Sequence, residues 1–181
     1  MPPPEVVAAI QDMLRRCGLE RLLGSTLFAP YNCHQSLSGR ILKPSRTDIS
    51  ILRSVGERLS AHACTLQFNR IDSAQHPNGN FHVTMRARGR PKAFEALLHA
   101  LQRQLIEVGY SHIATGVSPH ITLSYVAPAL LDKIEIKPSV DWTLGQLLLV
   151  EGGGSPYAYD ILDRWSLLPE TDPVISQIAM F

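Results

Sequence analysis

Little in this chain announces a disulfide framework, a metal centre or a membrane span. Its three cysteines, Cys17, Cys33 and Cys64, form no CxxC pair, and no cysteine–histidine set has the spacing of a structural zinc site. An odd, unpaired cysteine count suits a reducing compartment. Charge is scarce too. Asp, Glu, Lys and Arg make up 18% of the 181 residues, against a usual share of roughly 25%. With a net charge of +1, no global field draws in a polyanion; a nucleic acid would be held locally, at one end or one phosphate. No apolar run approaches the ~20 residues of a membrane span. The opening MPPPEVVAAIQDMLRRCGLE mixes acidic and basic residues on a helical pattern, unlike a secretory signal or transit peptide. A soluble, cytoplasmic, monomeric protein with no membrane partner is expected.

What is present is an ordinary globular composition, 45% hydrophobic, enough for one domain or two small lobes sharing a cleft. Val6, Val7, Ile10, Met13 and Leu14 form a helical stripe ended by Gly18, and Leu19 to Leu23 add a short turn. A loop then leads into an expected strand over His34 to Ser38. Residues 46–60 form a second helix started by Ser45 or Thr47. CTLQFNRID and FHVTMRAR alternate and flank the turn signals of SAQHPNGN, which predicts a hairpin. Pro91 opens a helix that Gly109 closes. PHITLSYV is a strand, 127–141 is irregular, and WTLGQLLLVEG and AYDILDRWSLL make a second hairpin about GGSPY. A bilobal domain is expected over 1–168, with a C-terminal tail at 169–181.

This order reads as an internal duplication: helix, His-x-Ser/Thr strand, intervening segment, hairpin. In an extended strand, side chains two apart share a face. The triplets His34-Gln35-Ser36 and His120-Ile121-Thr122 therefore each present an imidazole beside a hydroxyl. Gln35 and Leu37 in the first, and Ile121 and Leu123 in the second, point to the other side. Two imidazoles facing one phosphate suit its chemistry, since histidine titrates near neutrality and one can act as base while the other acts as acid. Ser36 and Thr122 can donate to the phosphate oxygens where charge builds. A third triplet, His82-Val83-Thr84, also fits; the half-domain arrangement selects 34 and 120 instead. His82, Thr84, Arg86 and Arg88 share one strand face, opposite Phe81, Val83 and Met85.

At HQSL (34–37) and HITL (120–123) the chain resembles the two-histidine (2H) phosphoesterases, specifically the bacterial RNA 2′,3′-cyclic phosphodiesterases also called 2′-5′ RNA ligases, whose pattern is H-x-[ST]-hydrophobic twice. SPHITLSY is the fuller match, and Tyr159 followed by DILDRWSL resembles the family's closing strand. Gln35 stands where the first motif usually has an apolar residue. The resemblance implies an α+β fold of two similar lobes, each an antiparallel sheet backed by helices, with the active site in the cleft between them. It implies hydrolysis of a 2′,3′-cyclic phosphate on RNA or a nucleotide to a 2′-phosphate, with reversible 2′-5′ ligation as a related activity. His34 and His120 would be catalytic, His34 as acid to the 3′ oxygen and His120 as base to water. Ser36 and Thr122 would hold the phosphate, without metal or other cofactor.

Two further substrate contacts are expected, Arg86 through paired hydrogen bonds to a phosphate and Tyr157 by stacking on a base. Tyr125 lies out of phase with the catalytic face and is assigned to the core. GGGSP at 152–156 lacks the Lys-Ser/Thr and helix of a P-loop and reads as a turn. Two other functions fit the same residues: a phosphodiesterase acting on 2′-5′ oligoadenylate or a cyclic ADP-ribose phosphate, and a catalytically silent RNA-end-binding protein.

Overall fold

Amphipathic helices and alternating strands need a partner for each apolar face, and among the described residues four helices and six strands supply it. The computed structural model describes residues 1–155 and 157–171. The helices are α1 (Pro4–Arg16), α2 (Leu19–Leu23), α3 (Arg46–Arg58) and α4 (Lys92–Glu107). The strands are β1 (Cys64–Gln75), β2 (Phe81–Ala87), β3 (His120–Ala127), β4 (Ile134–Leu144), β5 (Gln146–Gly153) and β6 (Ala158–Ser166). They form a four-stranded antiparallel sheet in the order β3-β2-β1-β4 and a two-stranded sheet β5-β6. The α+β architecture of antiparallel sheets and helices is as expected, with sheets of unequal size.

Local chemistry explains the helix boundaries. Ser45 caps α3 by accepting from the Asp48 N–H, while the Asp48 carboxylate accepts from the Ser45 N–H, a complete capping box. After α4, Gly109 takes the left-handed φ of 87° that a residue with a Cβ adopts at a cost.

One core lies between the large sheet and the helices α1 and α4. It joins Ile10, Met13 and Leu14 to Leu66, Phe68, Val83, Met85, Ile121 and Leu123, together with Phe94, Leu97 and Leu98 of α4. A second core gathers Val55 of α3, Leu101 and Leu105 of α4, and Ile113, with Leu147 of β5 against it. α4 thus contributes its N-terminal half to one core and its C-terminal half to the other. Gly145 is the single residue between β4 and β5, so the chain passes from one sheet directly into the next.

The structure corrects three expectations. Residues 33–39 form no strand; they run as a loop after a 3₁₀ turn at Pro30–Asn32. The segment 127–141, expected to be irregular, contains most of β4. Ile134, Ile136, Val140, Trp142 and Leu144 keep one phase, and Pro138 sits where the register against β1 shifts, an irregularity that tolerates a residue without an N–H. Third, the hairpins are exchanged relative to a simple duplication. The first hairpin, β1-β2, shares its sheet with His120, whereas the second, β5-β6, lies beside His34.

Of the expected tail, Pro169 to Thr171 begin as a packed arm: Glu170 accepts from the Thr65 N–H at 2.7 Å and from its hydroxyl at 2.9 Å. Residues 172–181 lie outside the described residues.

Gly56 of α3 is a contact point between the helix and the small sheet. A Cβ there would lie 2.5 Å from the Trp165 ring of β6. In an open helix Gly→Ala gains about 1 kcal/mol, but overpacking costs about 1–3 kcal/mol. Gly56→Ala is therefore expected to destabilise the protein by up to about 2 kcal/mol. In a Trp165→Ala background the same change should stabilise it. Urea titration of the four proteins reads the reversal of sign.

Candidate active site

His120 opens β3, an edge strand of the large sheet, and Arg86 of β2 is its partner across the ladder, as Thr84 is of Thr122. These four side chains therefore share the sheet face opposite the core, where Ile121 and Leu123 are fully buried. Asp72 of β1 lies on that face as well. Its carboxylate accepts from Arg70 Nε at 3.1 Å and Arg86 Nε at 3.2 Å. Arg86 also reaches the Ser118 hydroxyl at 3.4 Å. The β1 bulge between Phe68 and Arg70 explains how Arg70 and Asp72 come to face the same way as His120: it reverses the inward phase from even to odd residue numbers.

His34 comes from the loop on the other side. The 3₁₀ turn before it is anchored by buried Asn32, whose amide donates to the Tyr157 carbonyl at 2.8 Å. Cys33 points into the core, and burial pushes its thiol up to about 12, so it supplies no thiolate near neutrality. His34, half-buried, turns the opposite way and packs against the edge of Tyr159, ring centroids 4.8 Å apart.

The two imidazoles are held alike. His34 Nδ1–H donates to the carbonyl of Asn32 at 3.0 Å, and His120 Nδ1–H donates to the carbonyl of Ser118 at 2.8 Å. In each case the acceptor lies two residues upstream. A carbonyl can only accept, so Nδ1 carries the proton and Nε2 is the atom left for chemistry. Burial lowers the pKa of His34; its bond to Asn32 opposes the shift, and the nearby N-terminal amino group and then His120 add to it. Ser36 and Thr122 each lie two residues after their histidine and are half-buried.

Gln35 departs from the expected phase. Its side chain reaches across to β3, where Oε1 accepts from the His120 N–H at 2.7 Å, while Nε2 donates to the Ser36 carbonyl at 2.7 Å. Tyr125 departs as well. Leu123 and Ser124 are buried in succession, which reverses the phase at an irregularity in the β2-β3 pairing. Tyr125 is thus 45% exposed instead of core, with its ring edge-on to Phe28 and to His82. Phe28 in turn lies 6.4 Å from His34.

Tyr157 is 47% exposed beside the β5-β6 turn, edge-on to Tyr159. Burial, and then its bond to Tyr157, hold the Tyr159 hydroxyl well above the ordinary tyrosine value, so it stays neutral. His82 keeps the phase of Thr84 and Arg86 but stacks on His76, centroids 4.4 Å apart.

The expected residues His34, Ser36, His120, Thr122 and Arg86 are thus brought to where the two sheets meet, with Tyr157 at the rim. Sequence reasoning missed Asp72, Tyr159, Phe28 and Tyr125 as neighbours. The alternation of Arg70 with Asp72 was a usable signal for the first; Tyr159 depends on the exchange of hairpins and Tyr125 on the irregular β2-β3 pairing. Among the described residues no group of three or more His, Cys, Asp or Glu side chains is placed to hold a metal ion, and no helix is long and apolar enough to cross a membrane. A hollow between the C-terminal ends of α3 and α4, lined by Arg58, Arg103, Gln104 and Glu107, lies apart from both motifs.

No protein-family model and no curated protein sequence matches the chain. Solved structures do. Escherichia coli LigT in apo form superposes with a TM-score of 0.75 at 19% identity, covering 93% of this chain and 94% of that one. TT0787 of Thermus thermophilus gives 0.70 at 20% identity, with 93% and 94% covered. A structure described as a phosphoesterase gives 0.71 at 19%, with 93% and 95% covered. LigT has also been solved with ATP, 3′-AMP, phosphate and NADP+. At such identities the likeness is one of fold: this chain has the fold of LigT, TT0787 and that phosphoesterase.

Proposed function

We propose that the protein is a metal-independent phosphodiesterase that opens a 2′,3′-cyclic phosphate, on an RNA end or a nucleotide, to a 2′-phosphate. The observation that carries this reading is the matched pair of imidazoles. Each is fixed through Nδ1 on the carbonyl two residues upstream, and each has Nε2 to exchange a proton. The fold shared with a phosphoesterase, and the nucleotide complexes of LigT, support the substrate class.

In the reaction, His120 Nε2 takes a proton from water as its oxygen attacks phosphorus. The bond from phosphorus to the 3′ oxygen breaks, and protonated His34 supplies the proton to that oxygen. Arg86, Ser36 and Thr122 donate to the non-bridging oxygens, where preorganised donors lower the barrier. Asp72 keeps the Arg86 guanidinium in place. Tyr157 stacks on the base. A 5′-hydroxyl in place of water yields a 2′-5′ linkage by the same displacement. The protein works as a cytoplasmic monomer in this reading, over a domain spanning 1–168.

The test is turnover of 2′,3′-cyclic nucleotides and of short RNA ending in a cyclic phosphate, in excess chelator. Activity is expected, with a product that carries a 2′-phosphate by NMR. A dependence on added divalent metal would sink the mechanism, and binding without turnover would favour the silent RNA-end binder. The pH profile of kcat/KM, which reports the free protein, should be a bell whose acidic limb lies below the ordinary histidine value of about 6.5. Burial lowers the pKa of His34, and the lower value of a pair sets that limb whichever group is the acid. A bell with no limb below that value would contradict the placing of His34.

A further inference from the structure

We propose that Gln35 is a positioning residue that sets the gap between the two histidines; the proposal rests on the phosphodiesterase reading and deepens it. β3 is an edge strand, so the backbone groups on its outer side have no ladder partner. Two are met by the segment that carries the first motif. The Phe28 N–H donates to the Leu123 carbonyl at 2.7 Å, and the His120 N–H donates to Gln35 Oε1 at 2.7 Å. The second bond belongs to the catalytic residue itself. Through Nε2 the same amide holds the Ser36 carbonyl, so one planar group ties the backbone of the first motif to the backbone of the second.

This arrangement replaces a strand ladder with a longer rung. Were residues 34–36 paired directly with β3, their backbones would stand about 4.8 Å apart. The structure instead places a whole carboxamide, with a hydrogen bond at each end, between them. The wider spacing suits the reaction: a phosphate between two Nε2 atoms needs room for its own width and a hydrogen bond of about 2.8 Å on each side. The loop at 33–39 has no strand pairing of its own. Among the described residues the hydrogen bonds flanking it, Asn32 to Tyr157 and the Gly39 N–H to the Ile113 carbonyl, end on residues outside both motifs. Gln35 is thus the tie that relates one imidazole to the other.

The test compares wild type with Gln35→Met, which keeps length and bulk but loses both bonds, and Gln35→Glu, which keeps the acceptor for His120 and loses the donor. Misplacement on this scale costs about 10- to 100-fold in kcat, and that loss is expected in Gln35→Met with KM within a few fold and an unchanged melting temperature. Gln35→Glu should recover part of kcat over the methionine variant. Its pH profile should move to the alkaline side, because a carboxylate near the imidazoles favours their charged forms. The His120 amide proton should move upfield in Gln35→Met and stay in place in Gln35→Glu. Wild-type kcat in Gln35→Met, a loss confined to KM, or a glutamate variant no better than methionine would each overturn the proposal, as would an unmoved His120 amide. The amide shift needs no substrate. If the wild type itself turned over no cyclic phosphate, the phosphodiesterase reading would fail while the shift still judged the rung.

Discussion

His34→Ala and His120→Ala are each expected to lower kcat on a 2′,3′-cyclic phosphate by about 10²–10⁴-fold, the range for removing a placed general acid or base. Neither change should alter KM by a comparable factor, because the imidazoles act on protons in flight more than on the bound ground state. The double variant should fall little below the worse single one, since acid and base serve the same displacement. His82→Ala is the internal control. Its triplet also fits the His-x-Thr pattern, yet its ring stacks on His76 and touches Tyr125, so kcat should stay within a few fold. Near wild-type turnover in either His34→Ala or His120→Ala would end the mechanism. Loss of all turnover in a folded His82→Ala would mean that the wrong triplet had been chosen.

The second large effect concerns stability. Phe94 is fully buried in the N-terminal half of α4, among the residues of the larger core. Truncating a buried phenylalanine removes its transfer free energy and leaves a cavity, together about 3–5 kcal/mol. Phe94→Ala is expected to lose that much in chemical denaturation. A chain of this size loses about 2–4 °C in Tm for each kcal/mol, so the drop should exceed about 6 °C. Ile106, on the same helix, is 56% exposed, and Ile106→Ala should change stability by no more than about 0.5 kcal/mol. Equal effects at the two positions would mean that α4 is not seated on the sheet as described.

Elements with strong local signals were legible in the sequence. The apolar stripe of α1, the Ser45-or-Thr47 start of α3, the Pro91-to-Gly109 frame of α4 and the alternation of β2 all fix structure within a few residues of themselves. Strand periodicity likewise placed Thr122 two residues along β3 from His120, whereas His34 and Ser36 were read on the same period although their segment is a loop. What escaped was set at longer range. Residues 33–39 contain strand-like sequence but fold as a loop, because their neighbour across the site is reached through a glutamine side chain instead of a backbone ladder. β4 was obscured by Pro138, which the register shift against Phe68 and Arg70 accommodates. Tyr125 was assigned to the core by a simple two-residue period, which the irregular β2-β3 pairing breaks. The hairpin exchange leaves no mark in the order of elements, so Tyr159 beside His34 was invisible until the chain was folded.

The division of α4 between two cores has a consequence for how the molecule comes apart. A protein whose lobes had separate cores could lose one and retain the other, leaving half a site exposed. Here Phe94, Leu97 and Leu98 belong to one core and Leu101 and Leu105 to the other, and a helix gains most of its stability from the face it packs. Melting α4 removes a wall from both. The protein should therefore unfold as one cooperative unit, with no populated state in which one histidine is held and the other released.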